Sequence, residues 1–167
     1  MLMRRLLIAL CLPMLLGAAR PPAAAAELQP FVRGSWRAIL ARHAGRPLVV
    51  HLWGLTCGPC RVEMPKWGEF VKERPDIDLV LIDADFVPND PEAVAATLDK
   101  TGLANVESWV FGDGFLERLR YEIDPRWRGE IPQTYLIGRD GEVSSLEGVA
   151  DLEKVRDWFD AQLRAGR

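Results

Sequence analysis

Apolar and polar positions along the chain alternate between two patterns. PLVVHLW, from Pro47 to Trp53, is an apolar run interrupted only by His51 and closed by Gly54. A short run of this kind, bounded by turn residues, predicts a strand buried on both faces. IDLVLIDAD, from Ile77 to Asp85, predicts a second such strand, and ESWVFG, from Glu107 to Gly112, a third. Helical spacing fills the gaps between them. WRAILARHA predicts a helix capped by Ser35 and stopped at Gly45. A longer helix is expected from Cys57 to about Arg74, kinked at Pro65, which removes one backbone donor. DPEAVAATLDKTG reads as a helix capped by Asp90 and ended by Gly102, and GFLERLRYEI as another. TYLIG and EVSSLEG, joined by RDG, predict a hairpin around Asp140-Gly141. DLEKVRDWFDAQLRA puts Leu152, Val155, Trp158, Phe159 and Leu163 on one face of a closing helix. Buried strands alternating with helices define an α/β layer fold, and the final hairpin makes its sheet mixed.

The first 26 residues stand outside this pattern. MLMRR is a short basic head, LLIALCLPMLLG an apolar run broken by Pro13, and AARPPAAAAE a stretch with small residues at Ala24 and Ala26. That order is the order of a secretory signal peptide cleaved after Ala26, leaving one domain from 27 to 167. The run from Leu6 to Leu16 is shorter than the ~20 residues of a membrane-spanning helix. The remainder has the length and the composition of a globular domain: of all 167 residues 49% are hydrophobic and 27% charged. A formal charge of -3 gives no reason to expect a nucleic-acid partner.

Export changes the meaning of the cysteines. Cys11 lies in the apolar run and leaves with the signal, so Cys57 and Cys60 remain. A disulfide closing so small a loop constrains the unfolded chain very little, so the pair is chemical rather than a structural staple. Three chemistries compete for it. At the start of a helix, Cys57 faces unpaired backbone N–H groups and the positive end of the helix dipole, both of which favour thiolate. Such a site lowers a thiol pKa from roughly 8.5 to between about 3.5 and 7.5. Pro59 suits the first helical turn, and Cys60 falls one turn in. Cys57 then attacks a partner disulfide, and Cys60 resolves the mixed disulfide. Structural zinc wants four ligands, and the mature chain adds only His43 and His51 to the two thiols. Cu(I) needs fewer soft ligands, which keeps a copper-binding metallochaperone as the alternative function. Two inert buried thiols give no reason for Gly-Pro at a helix start.

These residues carry a resemblance. The chain resembles the thioredoxin superfamily and, more narrowly, the TlpA/ResA-like exported thiol-disulfide oxidoreductases. Cys57-Gly58-Pro59-Cys60 is similar to the thioredoxin active-site motif, Trp53 to the family tryptophan, and Pro65 to the proline of the active-site helix. RVEMP, with Glu63 and Pro65, resembles the narrower TlpA-like signature, and Ile131-Pro132-Gln133-Thr134 the cis-proline loop. The resemblance implies a thioredoxin-like mixed β-sheet flanked by helices, with a TlpA-type helix–strand insertion between about Asp85 and Val110. It implies a cis bond before Pro132, beside Cys57, with Ile131 and Pro132 receiving a client strand together with Trp53. Glu63, on the same helix as Cys60, is implied to tune the thiols. His51 stands where thioredoxins carry a buried acid, and a neutral imidazole there accepts the Cys60 proton. Many relatives have an aromatic residue just before the first cysteine; this chain has Thr56.

What the resemblance implies about function is a thiol-disulfide oxidoreductase, a protein-disulfide reductase of the periplasm. It acts as a monomer on disulfide-containing client proteins such as apocytochrome c or copper-site assembly factors. Its electrons come from a membrane thiol transporter, and it uses no cofactor and no metal. A copper chaperone of the Sco type carries a downstream histidine, whereas both histidines here precede the cysteines.

Overall fold

The computed structural model describes residues 27–166 apart from Pro88 and Asp113, so the expected signal peptide and Cys11 lie outside the described residues. Among the described residues five helices and six strands follow one another: β1 (Leu28–Phe31), α1 (Ser35–Arg42), β2 (Leu48–Trp53), α2 (Gly58–Glu73), β3 (Asp78–Asp83), α3 (Pro91–Lys100), β4 (Glu107–Phe111), α4 (Leu116–Ile123), β5 (Gln133–Ile137), β6 (Val143–Glu147) and α5 (Leu152–Ala165). They form one sheet in the order β1-β4-β3-β2-β5-β6. The four strands from β1 to β2 run parallel, and β5 and β6 add antiparallel pairs. The mixed sheet is the one that the apolar runs and the hairpin predict.

Strand alternation distributes the core to both faces. Leu48, Val50 and Leu52 of β2 pack on one side with Trp36 and Ile39 of α1 and Leu119 and Ile123 of α4. Val49 and Trp53 face the other side, where α2 contributes Cys60, Met64 and Trp67, α3 contributes Val94 and Leu98, and α5 contributes Val155. A helix layer on each face explains why the central strands read as continuous apolar runs. Close packing also constrains α2. A Cβ on the buried Gly68 would overlap the carbonyl oxygen of Thr101, so glycine lets α2 lie against the end of α3.

The structure corrects three local expectations. A strand that the pattern did not predict, β1, pairs in parallel with β4 at the sheet edge. It is short and contains Pro30, which suits an edge because proline has no N–H to give a second neighbour. Ser35 is the first residue of α1 rather than its cap. The cap is Gly34, at φ +91°, and the Ser35 hydroxyl accepts the N–H of Val32 at 2.9 Å. The Gly34 N–H is held by the Glu122 carboxylate at 2.8 Å. α1 ends at Arg42, capped by His43, ahead of Gly45. Elsewhere the expected ends hold closely: α2 is capped by Cys57 and Arg74 and runs on through Pro65, α3 is capped by Asp90, and the hairpin turns at Gly141, where φ is +84°.

Candidate active site

β2 ends at Trp53, and the chain turns through Gly54, Leu55 and Thr56 before α2 begins. Cys57 is the N-cap of α2, and its sulfur accepts the backbone N–H of Cys60 at 3.2 Å. Pro59 stands in the first turn, where its missing N–H costs nothing. Cys57 and Cys60 are joined as a disulfide, with their Cα atoms 5.3 Å apart. Cys57 is half-buried, whereas Cys60 is 0% exposed. The two sulfurs therefore differ in access: an incoming group meets Cys57 first.

The peptide bond between Ile131 and Pro132 is cis. The Ile131 carbonyl oxygen lies 3.6 Å from the Cys57 sulfur, a contact across the segment before β5. Trp53 is 1% exposed and packs beneath the turn with Cys60, Met64 and Trp67.

β2 and α2, the two elements that flank the disulfide turn, also share a buried polar group. His51 is 0% exposed and Glu63 is 2% exposed. Their Nε2 and Oε1 atoms are 2.9 Å apart, in contact without the alignment of a linear hydrogen bond. The other Glu63 oxygen accepts the N–H of Ala150 at 2.9 Å. His51 Nδ1 is 2.9 Å from Thr134 Oγ1, its direct register partner across β2 and β5. With a proton on Nε2 facing Glu63, Nδ1 accepts from the Thr134 hydroxyl. The His51 ring also lies 4.9 Å from the Trp67 ring, which packs in the same cluster as Cys60. Glu63 is thus not a solvated helix residue, and the structure joins His51 to Glu63. Neither Thr134 nor Ala150 carried any signal of this role in the sequence.

His43 is elsewhere. It faces Asp78 at 2.9 Å and Glu107 at 3.2 Å. Asp78 pairs with Leu48 at the start of β2, whereas the cysteines follow its other end, roughly 17 Å away at the rise of a strand.

A second acidic group adjoins the turn. Asp83 at the end of β3 is the register partner of Trp53. Asp83 is 1% exposed and Asp85 is 4% exposed. Asn89 Nδ2 donates to both, at 2.6 Å and 2.8 Å. Burial pushes the Asp83 carboxyl from 3.8 up to about 6; the Asp85 charge acts in the same direction, and the hydrogen bonds from Asn89 and the Asp85 N–H oppose it. An acid whose folded pKa is raised binds its proton more tightly in the folded state. Its contribution to stability is therefore greatest below the unfolded value and falls as pH rises from about 4 to about 6. Asp83→Asn removes this titration. From pH 3.5 to pH 7 the stability difference between wild type and variant will move by roughly 2–3 kcal/mol in favour of the variant. Urea unfolding at the two pH values measures it, and a constant difference would exclude the buried titration.

Comparison with known proteins places this geometry. No family model matches the sequence, and no curated protein matches it. Solved structures match the fold. The Mycobacterium tuberculosis protein DsbF superposes with a TM-score of 0.58 at 16% identity, over 72% of this chain and 84% of that one. A secreted Mycobacterium tuberculosis disulfide oxidoreductase homologous to Escherichia coli DsbE gives 0.57 at 20% identity, over 72% and 85%. StoA from Bacillus subtilis gives 0.54 at 22% identity, over 69% and 83%. The class is therefore the thioredoxin-like fold. α3 and β4 form the helix–strand insertion, with β4 placed between β1 and β3.

Proposed function

We propose that the protein is an exported thiol-disulfide oxidoreductase that reduces disulfides in periplasmic client proteins. The observation that carries this reading is the joined Cys57–Cys60 pair at the N-terminus of α2, beside the cis Ile131–Pro132 bond. In the reduced protein the Cys57 thiolate faces the Cys60 N–H and the helix dipole. It attacks one sulfur of a client disulfide, and the other client sulfur leaves as a thiolate. Cys60 then loses its proton and attacks the Cys57 sulfur. The Cys57–Cys60 disulfide forms, and the second client thiolate is released. Two electrons pass from the dithiol to the client.

The buried position of Cys60 calls for a proton acceptor inside the protein. The His51–Glu63 pair supplies one on the same helix layer. Ile131 and Pro132 receive the client backbone, and buried Trp53 supports the turn from below. Apolar side chains next to these residues in the chain, Val62, Phe86, Val87 and Val149, are each more than half exposed and are suited to contact with a protein client. The residues before 27 direct export and are removed. Among the described residues no helix is long and apolar enough to cross a membrane. In an oxidising compartment the dithiol must be regenerated by a donor of two electrons, for which a membrane thiol transporter is the fitting class. Apocytochrome c and copper-site assembly factors are the clients we favour, and the protein acts as a monomer without a cofactor or metal.

The reduction potential of the pair tests the direction. Equilibration in thiol buffers, with alkylation to count free thiols, is expected to give a value below roughly -220 mV. A value near about -120 mV would make the protein an oxidant and overturn the reductase assignment.

A further inference from the structure

Thr56, the residue immediately before Cys57, gives both of its donors to one side chain. Its backbone N–H donates to Asp85 Oδ2 at 2.9 Å, and its hydroxyl donates to Asp85 Oδ1 at 2.6 Å. The carboxylate is buried and held from behind by Asn89, and the Asp85 N–H donates in turn to Asp83 at 3.2 Å. Gly54 makes room for it, because a Cβ at that position would overlap the Asp85 carboxylate. Among the described residues, no Lys, Arg or His side chain forms an ion pair or hydrogen bond with Asp83 or Asp85. A carboxylate without an ion-pair partner among the described residues is thus fixed on the residue before the attacking cysteine, with the buried Arg120 guanidinium stacked on the ring of the neighbouring Phe86.

We infer that Asp85 is a positioning residue that locks the turn before Cys57 and whose fixed charge disfavours the Cys57 thiolate, making the pair a stronger electron donor. This rests on the thiol-disulfide chemistry proposed above. The physical reason is differential. The disulfide form has no charge at Cys57, whereas the reduced form carries one when it ionises. A neighbouring carboxylate that water screens poorly raises the energy of the ionised dithiol and leaves the disulfide unaffected. The same two electrons then pass more readily to a client. The anchored Thr56 also takes the place of the aromatic residue that many relatives carry before the first cysteine.

The test uses the full-length mature protein, reduced, as wild type, Asp85→Asn, Gly54→Ala and Thr56→Val. Iodoacetamide alkylation of Cys57 is followed against pH, and the dithiol–disulfide equilibrium is measured in glutathione buffers. Asp85→Asn keeps the shape and removes the charge, so alkylation at pH 6 should rise about three- to ten-fold, and the equilibrium should shift towards dithiol by a similar factor. Gly54→Ala displaces the carboxylate and should move both readouts the same way, which keeps the test available if Asp85→Asn does not fold. Thr56→Val retains the charge and should show no such rise. Unchanged pH midpoints and equilibria in Asp85→Asn or Gly54→Ala, with only a lower Tm, would reduce Asp85 to a structural anchor and overturn the inference. A wild-type pair that exchanges with no disulfide at all would instead overturn the proposed function.

Discussion

Cys57→Ala will abolish disulfide reduction, and Cys60→Ala will convert the protein into a trap that accumulates mixed disulfides with its clients. The asymmetry follows from where the two sulfurs lie. Cys57 is half-buried at the helix cap, receives the Cys60 N–H and is the sulfur a client can reach. Its loss removes the nucleophile that a client can reach, and no other described residue can replace it, because Cys60 is buried and the described chain contains no third cysteine. Cys60 is fully buried, in one apolar cluster with Trp53, Met64 and Trp67, and cannot meet a client directly. Its loss leaves the first attack intact and removes only the resolving step. Turnover in both variants should fall by more than about a thousandfold, yet only Cys60→Ala should yield adducts on non-reducing gels, which dithiothreitol dissolves. Full turnover by Cys60→Ala would exclude the two-step mechanism.

Breaking the His51–Glu63 pair will destabilise the protein by about 3 kcal/mol, the upper end of the range for leaving a buried polar group without its partner. Glu63→Ala strands His51 Nε2 and also the Ala150 N–H, which has the second Glu63 oxygen as its acceptor. A loss of that size lowers Tm by roughly 10 °C or more in a domain of this length. His51→Leu likewise leaves a buried carboxylate beside an apolar side chain. Replacing both partners removes both stranded groups, so His51→Leu/Glu63→Leu should cost less than the sum of the two single changes. Strict additivity in chemical unfolding would show that the pair is not coupled. The catalytic consequence is separable. Glu63→Gln keeps an acceptor for the Ala150 N–H, so its fold should survive while resolution of the mixed disulfide slows about ten- to a hundred-fold. Single-turnover release of a client thiol, compared with the speed of the first attack, measures that step.

Several parts of this site are legible without coordinates because their causes are local. A cysteine followed by Gly58 and Pro59 marks a helix cap, and Asp90-Pro91 marks another, since capping and proline preference act within one turn. The hairpin is written in Asp140-Gly141, where a positive φ favours glycine. His51 stands out as a lone polar residue in an apolar strand. β1 escaped notice because four residues containing a proline have no periodicity to read, and only pairing with β4 makes them a strand.

By itself, then, the sequence determined the alternation of buried strands and helices, the placing of Cys57 and Cys60 at a helix start, and the presence of polar residues inside apolar segments. Only the tertiary structure decided what those polar residues meet. His51 and Thr134 are 83 positions apart, Glu63 and Ala150 87, and Thr56 and Asp85 29. Local patterns report the free energy of a helical turn or a strand face, whose terms span a few residues. A buried imidazole or carboxylate is instead satisfied by whichever donor the folded sheet brings within about 3 Å, and that choice is made by strand order and register.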